Sequence, residues 1–322
     1  MQAAQSLIRW PQPITEYIGF FGSFLPAGAI GFRYIVMRGA IARGERSGVD
    51  ATRRRVFADT ARRAAVIGLI GVVIAIALML YQLPALATRR HTSVGQLITH
   101  NAGTGLQLGF LVLSLIGFAL AVRSTNAGWM LAAVGFLVSL LRNLFLGQIT
   151  ELANPMHVLA GGLWIGTLFV MVVAGIAVVL NNEVARDQRG PMVSDMVYSF
   201  SPLALVSAGV LVLFGVIIAW EHLHVLSNLW RSAYGITLLV KLCFVAVVFG
   251  LGAWNWRRNK PALGSEAAAV TLRRSATSEV IAAALVLAVT AVLLSIPAPK
   301  RQKAKPPGAP PTATQASMAT GH

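Results

Sequence analysis

The sequence has little cysteine, little acid and few charges of any kind. Its single cysteine, Cys243, excludes an internal disulfide and a metal cage built from several thiolates. Only 12% of the 322 residues are charged and 56% are hydrophobic, which leaves too little polar surface to cover a large soluble core. There is no glycine-rich phosphate loop ending in Lys-Ser or Lys-Thr and no acidic metal cluster. We therefore expect neither an ATP-driven pump nor an enzyme.

The chain does contain a series of apolar runs long enough to cross a bilayer, which takes about 20 residues each. We predict eight spans, at about 14–37, 63–85, 97–122, 128–146, 156–180, 200–221, 233–256 and 278–296. The expected fold class is all-α, a polytopic membrane protein in which residues 1–296 form a bundle of eight transmembrane helices. The N-terminus lacks the charged start and apolar core of a signal peptide, so we expect the first span to be retained. The segment 297–322 is rich in Pro and Lys and is predicted to be a disordered periplasmic tail.

Basic residues are distributed unevenly between these spans. A net charge of +16 would suggest nucleic acid in a soluble protein, but the sequence has no nucleic-acid motif and its arginines lie in short connections. Eight arginines lie between Arg38 and Arg63, whereas the next connection has only Arg89 and Arg90. Arginine-rich connections stay in the cytoplasm, so the first connection is predicted to be cytoplasmic and both termini to lie outside.

An ionisable residue stands inside the fifth predicted span. In a helix His157, Gly161 and Trp164 share one face, and Gly161 with Gly162 leaves room for a neighbouring helix. We expect His157 to be buried near the outer membrane surface, where an ionisable side chain is a functional candidate. A structural histidine bonded to a neighbouring helix is an equally good interpretation of the residues alone.

All six histidines fall in outer segments or at outer span ends, and methionines accompany them. Imidazole together with thioether suits copper, Cu(I) in particular. The candidate copper ligands are Met79, His100, Met156, His157, His222 and His224. The last pair could chelate only if the sixth span ended near Glu221, because two helical residues two positions apart point nearly opposite ways. Histidine and methionine at such positions are also ordinary interface and core residues.

Deeper polar side chains could serve ion transport or structure. Lys241 lies roughly 12 Å into the seventh span at 1.5 Å per residue, and it needs a carboxylate or water there to stay charged. The outer-side carboxylates available to it are Glu16, Glu151 and Glu221. Gln107 could hydrogen-bond across helices. Cys243 is expected to be buried, either as inert packing or as a relay ligand on a copper path.

Three segments of the second half are MHVLAGGLWIG at 156–166, FSPLALVSAGVLVLFGVIIAW at 200–220 and SAYGITLLVKLCFVAVVFGLGAWNWRRNKPAL at 232–263. They resemble the copper resistance protein D family of bacterial inner-membrane proteins. The resemblance implies an eight-helix inner-membrane protein linked to copper uptake or tolerance. By this resemblance, four residues stand at the family's motif positions: His157, Tyr234, Gly235 and Lys241.

The residues and the family resemblance suggest two functions of different classes, and a third alternative is also compatible with the sequence. The first is copper transport, with uptake into the cytoplasm from the outer His and Met residues. The second is a haem-binding redox or assembly protein, in which His100 and His157 would supply facing ligands. The third is a copper-sensing or assembly subunit that moves no ion. Some members of the family carry a fused copper-binding β-domain that has no counterpart here, so besides the lipid bilayer we expect a separate periplasmic copper-binding protein as partner.

Overall fold

The computed structural model describes residues 10–45, 51–183, 186–223, 225–259 and 265–296. In these ranges the regular secondary structure is entirely helical, which confirms the all-α fold class. The main helices are α1 (Gln12–Glu45), α2 (Ala51–Arg89), α3 (Val94–His100), α4 (Ala102–Val122), α5 (Asn126–Leu140), α6 (Ile149–Asn181), α7 (Arg189–Leu223), α8 (Ala233–Asn259) and α9 (Glu266–Ser295).

Apolar helices occupy the predicted spans, but they differ in length. Seven helices in the described ranges are long and apolar enough to cross a membrane. The remaining one, α5, has only 15 residues because it ends at Leu140. The chain then forms the separate turn Arg142–Phe145 and reaches Gly147 at a φ of +72°, a left-handed conformation that suits glycine. The predicted span 128–146 is therefore interrupted.

Short polar segments set the helix starts between spans. The Ser93 hydroxyl accepts a hydrogen bond from the Gln96 backbone while the Gln96 side chain accepts from the Ser93 backbone, which begins α3 with a capping box. Asn101 caps α4 in the same way through the backbone N–H of Thr104. Thr125 accepts from Gly128 at the start of α5. Each of these N-caps lets a new helix begin within a few residues of the end of the previous one.

Two helices, α1 and α6, form the centre of the bundle. In the most apolar stretch of each, 67% and 72% of the residues are buried, against no more than 28% in the other candidate spans. The first, α1, packs against α2, α6 and α9, and α7 lies along both α1 and α6. The outer helices consequently present apolar side chains to their surroundings, as expected for lipid-facing surfaces.

Glycines allow α1 and α6 to touch through their backbones. A Cβ atom on Gly28 would overlap the backbone of Gly166, and a Cβ on Gly166 would overlap the carbonyl oxygen of Phe24. Nearer the start of α6, a Cβ on Gly161 would lie 2.8 Å from the Phe24 ring and one on Gly162 2.7 Å from the neighbouring helix. The expectation that Gly161 and Gly162 admit a close neighbour is therefore confirmed.

Both central helices also contain wide, π-helical turns. They lie at Phe32–Met37 in α1 and at Gly162–Gly166 and Met171–Ile176 in α6. Turns of this kind reorient the side chains that follow them and occur often at functional sites. The first precedes the arginine-rich segment of α1, and the second directly follows the helix turn that carries His157.

The two ends of the bundle differ in chemistry. One end, here called the arginine end, holds the end of α1, the start of α2 and the ion pair between Arg53 of α2 and Asp195 of α7. The opposite end, the histidine end, holds the described histidines His91, His100, His157 and His222. The alternation of helices therefore separates the histidines from the main basic segment, as the charge pattern predicts.

Candidate functional site

His157 lies at the histidine end of α6, with its ring against α7. The side chain is half-buried, and its Nδ1 lies 2.9 Å from the carbonyl oxygen of Leu211. One helical turn further along α7, Gly215 makes room for the ring, since a Cβ there would lie 3.1 Å from the imidazole Cε1. The absence of a side chain at Gly215 therefore leaves room for the imidazole against α7.

The hydrogen bond fixes which ring nitrogen carries the proton. A carbonyl oxygen only accepts hydrogen bonds, so Nδ1 of His157 donates to Leu211. In the neutral ring the lone pair then belongs to Nε2, for which the described residues supply no hydrogen bond. A backbone carbonyl bound to one imidazole nitrogen is the usual arrangement when the other nitrogen binds a metal. The same bond also ties α6 to α7, so it serves a structural role as well.

Lys241 of α8 lies close enough to His157 to act on its imidazole electrostatically. Further along the same two helices the rings of Trp164 and Phe249 are 4.9 Å apart. Trp164 follows His157 by seven residues and Phe249 follows Lys241 by eight, so α6 and α8 run in the same direction. They therefore start at the same end of the bundle.

The predicted carboxylate partners do not reach Lys241. Among the described residues no carboxylate lies within ion-pair distance of it. Glu221 is exposed, Glu16 is half-buried in α1, and Glu151 accepts a hydrogen bond of 3.2 Å from Asn143.

The other predicted copper ligands lie apart along the histidine end. Met156 is half-buried beside His157, and Met79 is half-buried in α2 against the main core. His100 is exposed, with its Nδ1 2.8 Å from the Thr99 hydroxyl. His222 is exposed at the end of α7, where its ring stacks on Tyr234 at 5.6 Å.

Whether His222 and His224 can chelate a metal together depends on where α7 ends. This helix continues to Leu223, so His222 is helical, and its Nδ1 donates to the carbonyl of Ile218 at 2.8 Å. The extended segment that a pair with His224 requires would therefore have to begin beyond His222. His224 itself lies outside the described residues.

The predicted ligands do not form a closed metal cage in the described residues. These ranges contain no group of three or more His, Cys, Asp or Glu side chains arranged to hold a metal ion. A closed structural site needs about four ligands, whereas a site that passes an ion on must leave positions open.

Two deeper residues differ in how the structure places them. Gln107 is half-buried in α4, as a side chain between helices would be. Cys243 is exposed on α8, so the expectation of a buried thiol is wrong, whereas its role as a relay ligand stays a prediction. The reason is helical phase: two residues from Lys241 corresponds to about 200° around the helix, the side facing away.

Leu211 and Gly215 are the site residues that sequence reasoning missed. Leu211 contributes only its backbone carbonyl, so the type of residue at this position does not indicate a hydrogen bond to His157. Gly215 does give one, because a glycine inside an apolar span marks a close approach. Gly215 and His157 lie at similar depths in α7 and α6, and this match would have predicted that the two helices are neighbours.

Fold and composition together define the class: this is a multi-pass helical membrane protein. Within that class, residues 194–293 match the family model of copper resistance protein D, CopD, so the chain carries a copper resistance protein D domain there. This confirms the family resemblance, although the match begins after His157 and extends beyond the expected 263. Tyr234, Gly235 and Lys241 lie inside it. No curated protein and no solved structure matches the chain.

Proposed function

We propose that this protein carries copper across the bacterial inner membrane, into the cytoplasm, with Nε2 of His157 as a ligand on the path. A copper resistance or transport role is what the family domain implies for a multi-pass membrane protein. The observation that carries the finer proposal is the hydrogen bond from His157 Nδ1 to the Leu211 carbonyl. It supports a neutral imidazole whose remaining nitrogen can donate to a soft or borderline metal.

The surroundings of His157 favour transient rather than permanent binding. Met156, the residue before His157, lies about 100° away around the helix and offers a thioether, a ligand that favours Cu(I). In its protonated form Lys241 opposes a cation bound nearby. Conduction requires binding that is strong enough for entry and weak enough for release. One imidazole, one thioether and an opposing charge meet that requirement.

The direction of transport follows from the two ends of the bundle. If the arginine end is cytoplasmic, by the positive-inside rule, then His157 opens to the periplasm and the path runs inward along α6, α7 and α8. Copper would reach the histidine end from a separate periplasmic copper-binding protein, and the exposed His100 and His222 stand where such a partner would dock. In this proposal the protein is a carrier and not an enzyme.

The haem alternative gains no support from the contacts of its two histidines. His100 closes α3, which packs mainly on α2 and α4, whereas His157 packs against α7. An oxidised-minus-reduced spectrum of the purified protein tests it directly. A haem band that disappears in both His100→Gln and His157→Gln would replace the copper proposal.

The experiment for transport measures copper accumulation in cells with and without the protein. His157→Gln at equal protein abundance should lower accumulation to the level of cells that lack the chain. His91→Asn is the matched control, because His91 is an exposed outer histidine outside the ligand set, and asparagine tolerates its φ of 52°. Unchanged accumulation in the His157 variant, or an equal fall in the control, would contradict the proposal.

Lys241 provides a second test in the purified protein. Lys241→Met removes the like charge and keeps an apolar side chain, so we expect Cu(I) to bind several-fold more tightly. Weaker binding would mean that the lysine amine donates to the metal, contrary to the role proposed here.

A further inference from the structure

A cavity of about 210 Å³ lies at the arginine end, far from His157. Its walls come from α1, from α2, from α5 and from the turn between α4 and α5. On α2 the lining residues Arg54, Phe57, Ala58 and Ala61 recur at helical spacing, so one face of the helix forms a wall. Arg54 and Ala58 are exposed, which places the mouth of the cavity at the surface.

The lining is basic and contains no acidic side chain. Arg33, Arg53 and Arg54 all contribute to it. Arg53 is ion-paired with Asp195, and Arg33 donates to the side-chain oxygen of Asn126 at 3.0 Å. Three guanidinium groups are therefore opposed by one carboxylate, so the cavity holds a net positive charge.

Two of these arginines keep donors that are buried and unused. Arg53 is only 6% exposed, and its Nε has no hydrogen-bond partner among the described residues. The same holds for the Nε of Arg33. A buried donor without a partner is costly, so native proteins rarely leave one without a reason. An anion in the cavity would compensate the charge and provide acceptors.

The remaining walls are apolar and aromatic. Phe57 lies under the Arg53 guanidinium, 5.5 Å from it, and Trp129 and Met37 close the cavity on other sides. A purely polar anion would gain nothing from these walls. An amphiphile with a phosphate head and an apolar part would contact both kinds of surface.

We propose that this cavity binds a phosphate-bearing anion, with Arg33, Arg53 and Arg54 around the phosphate. Arginine forks match phosphate oxygens in geometry as well as in charge. Basic pockets between membrane helices bind anionic lipid head groups, and the apolar walls favour that source over free phosphate. This site is independent of the copper path, because it lies at the opposite end of the bundle.

The test titrates the purified full chain in neutral detergent and follows its melting temperature. The probes are inorganic phosphate, dihexanoyl phosphatidylglycerol and, as the zwitterionic reference, dihexanoyl phosphatidylcholine. Arg54→Gln is compared with Arg55→Gln, since both arginines are exposed neighbours on α2 but only Arg54 lines the cavity. Losing one charged contact to phosphate should raise the half-saturating concentration about tenfold in Arg54→Gln. Arg55→Gln should behave as the wild type.

A second variant separates ligand binding from folding. Ala58→Leu adds bulk at the mouth of the cavity while leaving every arginine in place, so it should weaken binding without lowering the melting temperature of the free protein. Arg54→Gln should also keep that temperature, because its side chain is exposed.

Each outcome decides the proposal. Saturable stabilisation by phosphatidylglycerol, lost in the two cavity variants, supports a lipid ligand; the same pattern with inorganic phosphate supports a soluble phosphate ligand. The site is refuted if neither anion stabilises the protein, if phosphatidylcholine stabilises it equally, or if Arg55→Gln weakens binding as much as Arg54→Gln.

Discussion

Replacing Gly166 by alanine should destabilise the protein more than a glycine-to-alanine change normally does. The new Cβ would overlap the carbonyl oxygen of Phe24 and lie 3.0 Å from its carbonyl carbon and 3.2 Å from Cα of Gly28. These are backbone atoms of α1, so no rotamer change can relieve the clash. The two central helices would have to separate by roughly 1 Å to restore ordinary contact distances, and a gap of that size forfeits a quarter to a half of the contact energy along it.

Overpacking of a core costs about 1–3 kcal/mol, and lost contacts along the α1–α6 interface add to that. The intrinsic helix preference of alanine over glycine offsets up to about 1 kcal/mol. We therefore expect a net loss of about 2–3 kcal/mol in the free energy of unfolding. The control is Gly209→Ala on α7, where a Cβ would meet no heavy atom within 4 Å, so that change should be neutral or slightly stabilising.

Reversible unfolding in mixed micelles, followed by circular dichroism, measures both variants against the wild type. Equal stability of Gly166→Ala and Gly209→Ala would refute the backbone contact between α1 and α6, and with it the central position of these helices.

Two further predictions concern the arginine end and the orientation. Asp195→Asn should lower the free energy of unfolding by about 2–3 kcal/mol. This is a small loss for a broken buried ion pair, because Asp195 is 21% exposed. Adding Arg53→Met should recover most of it, since it removes the arginine that was left unpaired. Additive losses in denaturation experiments would contradict that coupling. In a Cys243→Ser background, Leu226→Cys should react with an impermeant thiol reagent in intact spheroplasts and Glu183→Cys should not. The opposite labelling would reverse the orientation and the proposed direction of transport.

The positions of the helices could be predicted from the sequence because apolar length alone specifies them. Seven of the eight runs correspond to helices long enough to cross a membrane, and the discrepancy, the short α5, arises at Leu141–Gly147 from local backbone geometry. The π-helical turns of α1 and α6 have no comparable signal, since their residues are ordinary for a membrane helix.

The site was only partly predictable because it depends on which helices are neighbours. The face of α6 with His157, Gly161 and Trp164 follows from helical spacing, and the structure places Gly161 and Trp164 in the interior. The hydrogen bond to the Leu211 carbonyl could not be foreseen, because a backbone acceptor leaves no trace in the sequence. The same holds for the pairing of Arg53 with Asp195, which are distant in the chain.

The central claim is that His157 binds copper, and Cu(I) binding to purified variants tests it most directly. His157→Gln keeps an N–H that can bond to the Leu211 carbonyl but donates poorly to Cu(I), whereas His157→Met keeps a soft donor and loses that hydrogen bond. We expect the glutamine variant to be as stable as the wild type and to lose Cu(I) binding, and the methionine variant to recover part of it at lower stability. A glutamine variant that binds Cu(I) with unchanged stoichiometry and affinity would show that His157 serves packing alone.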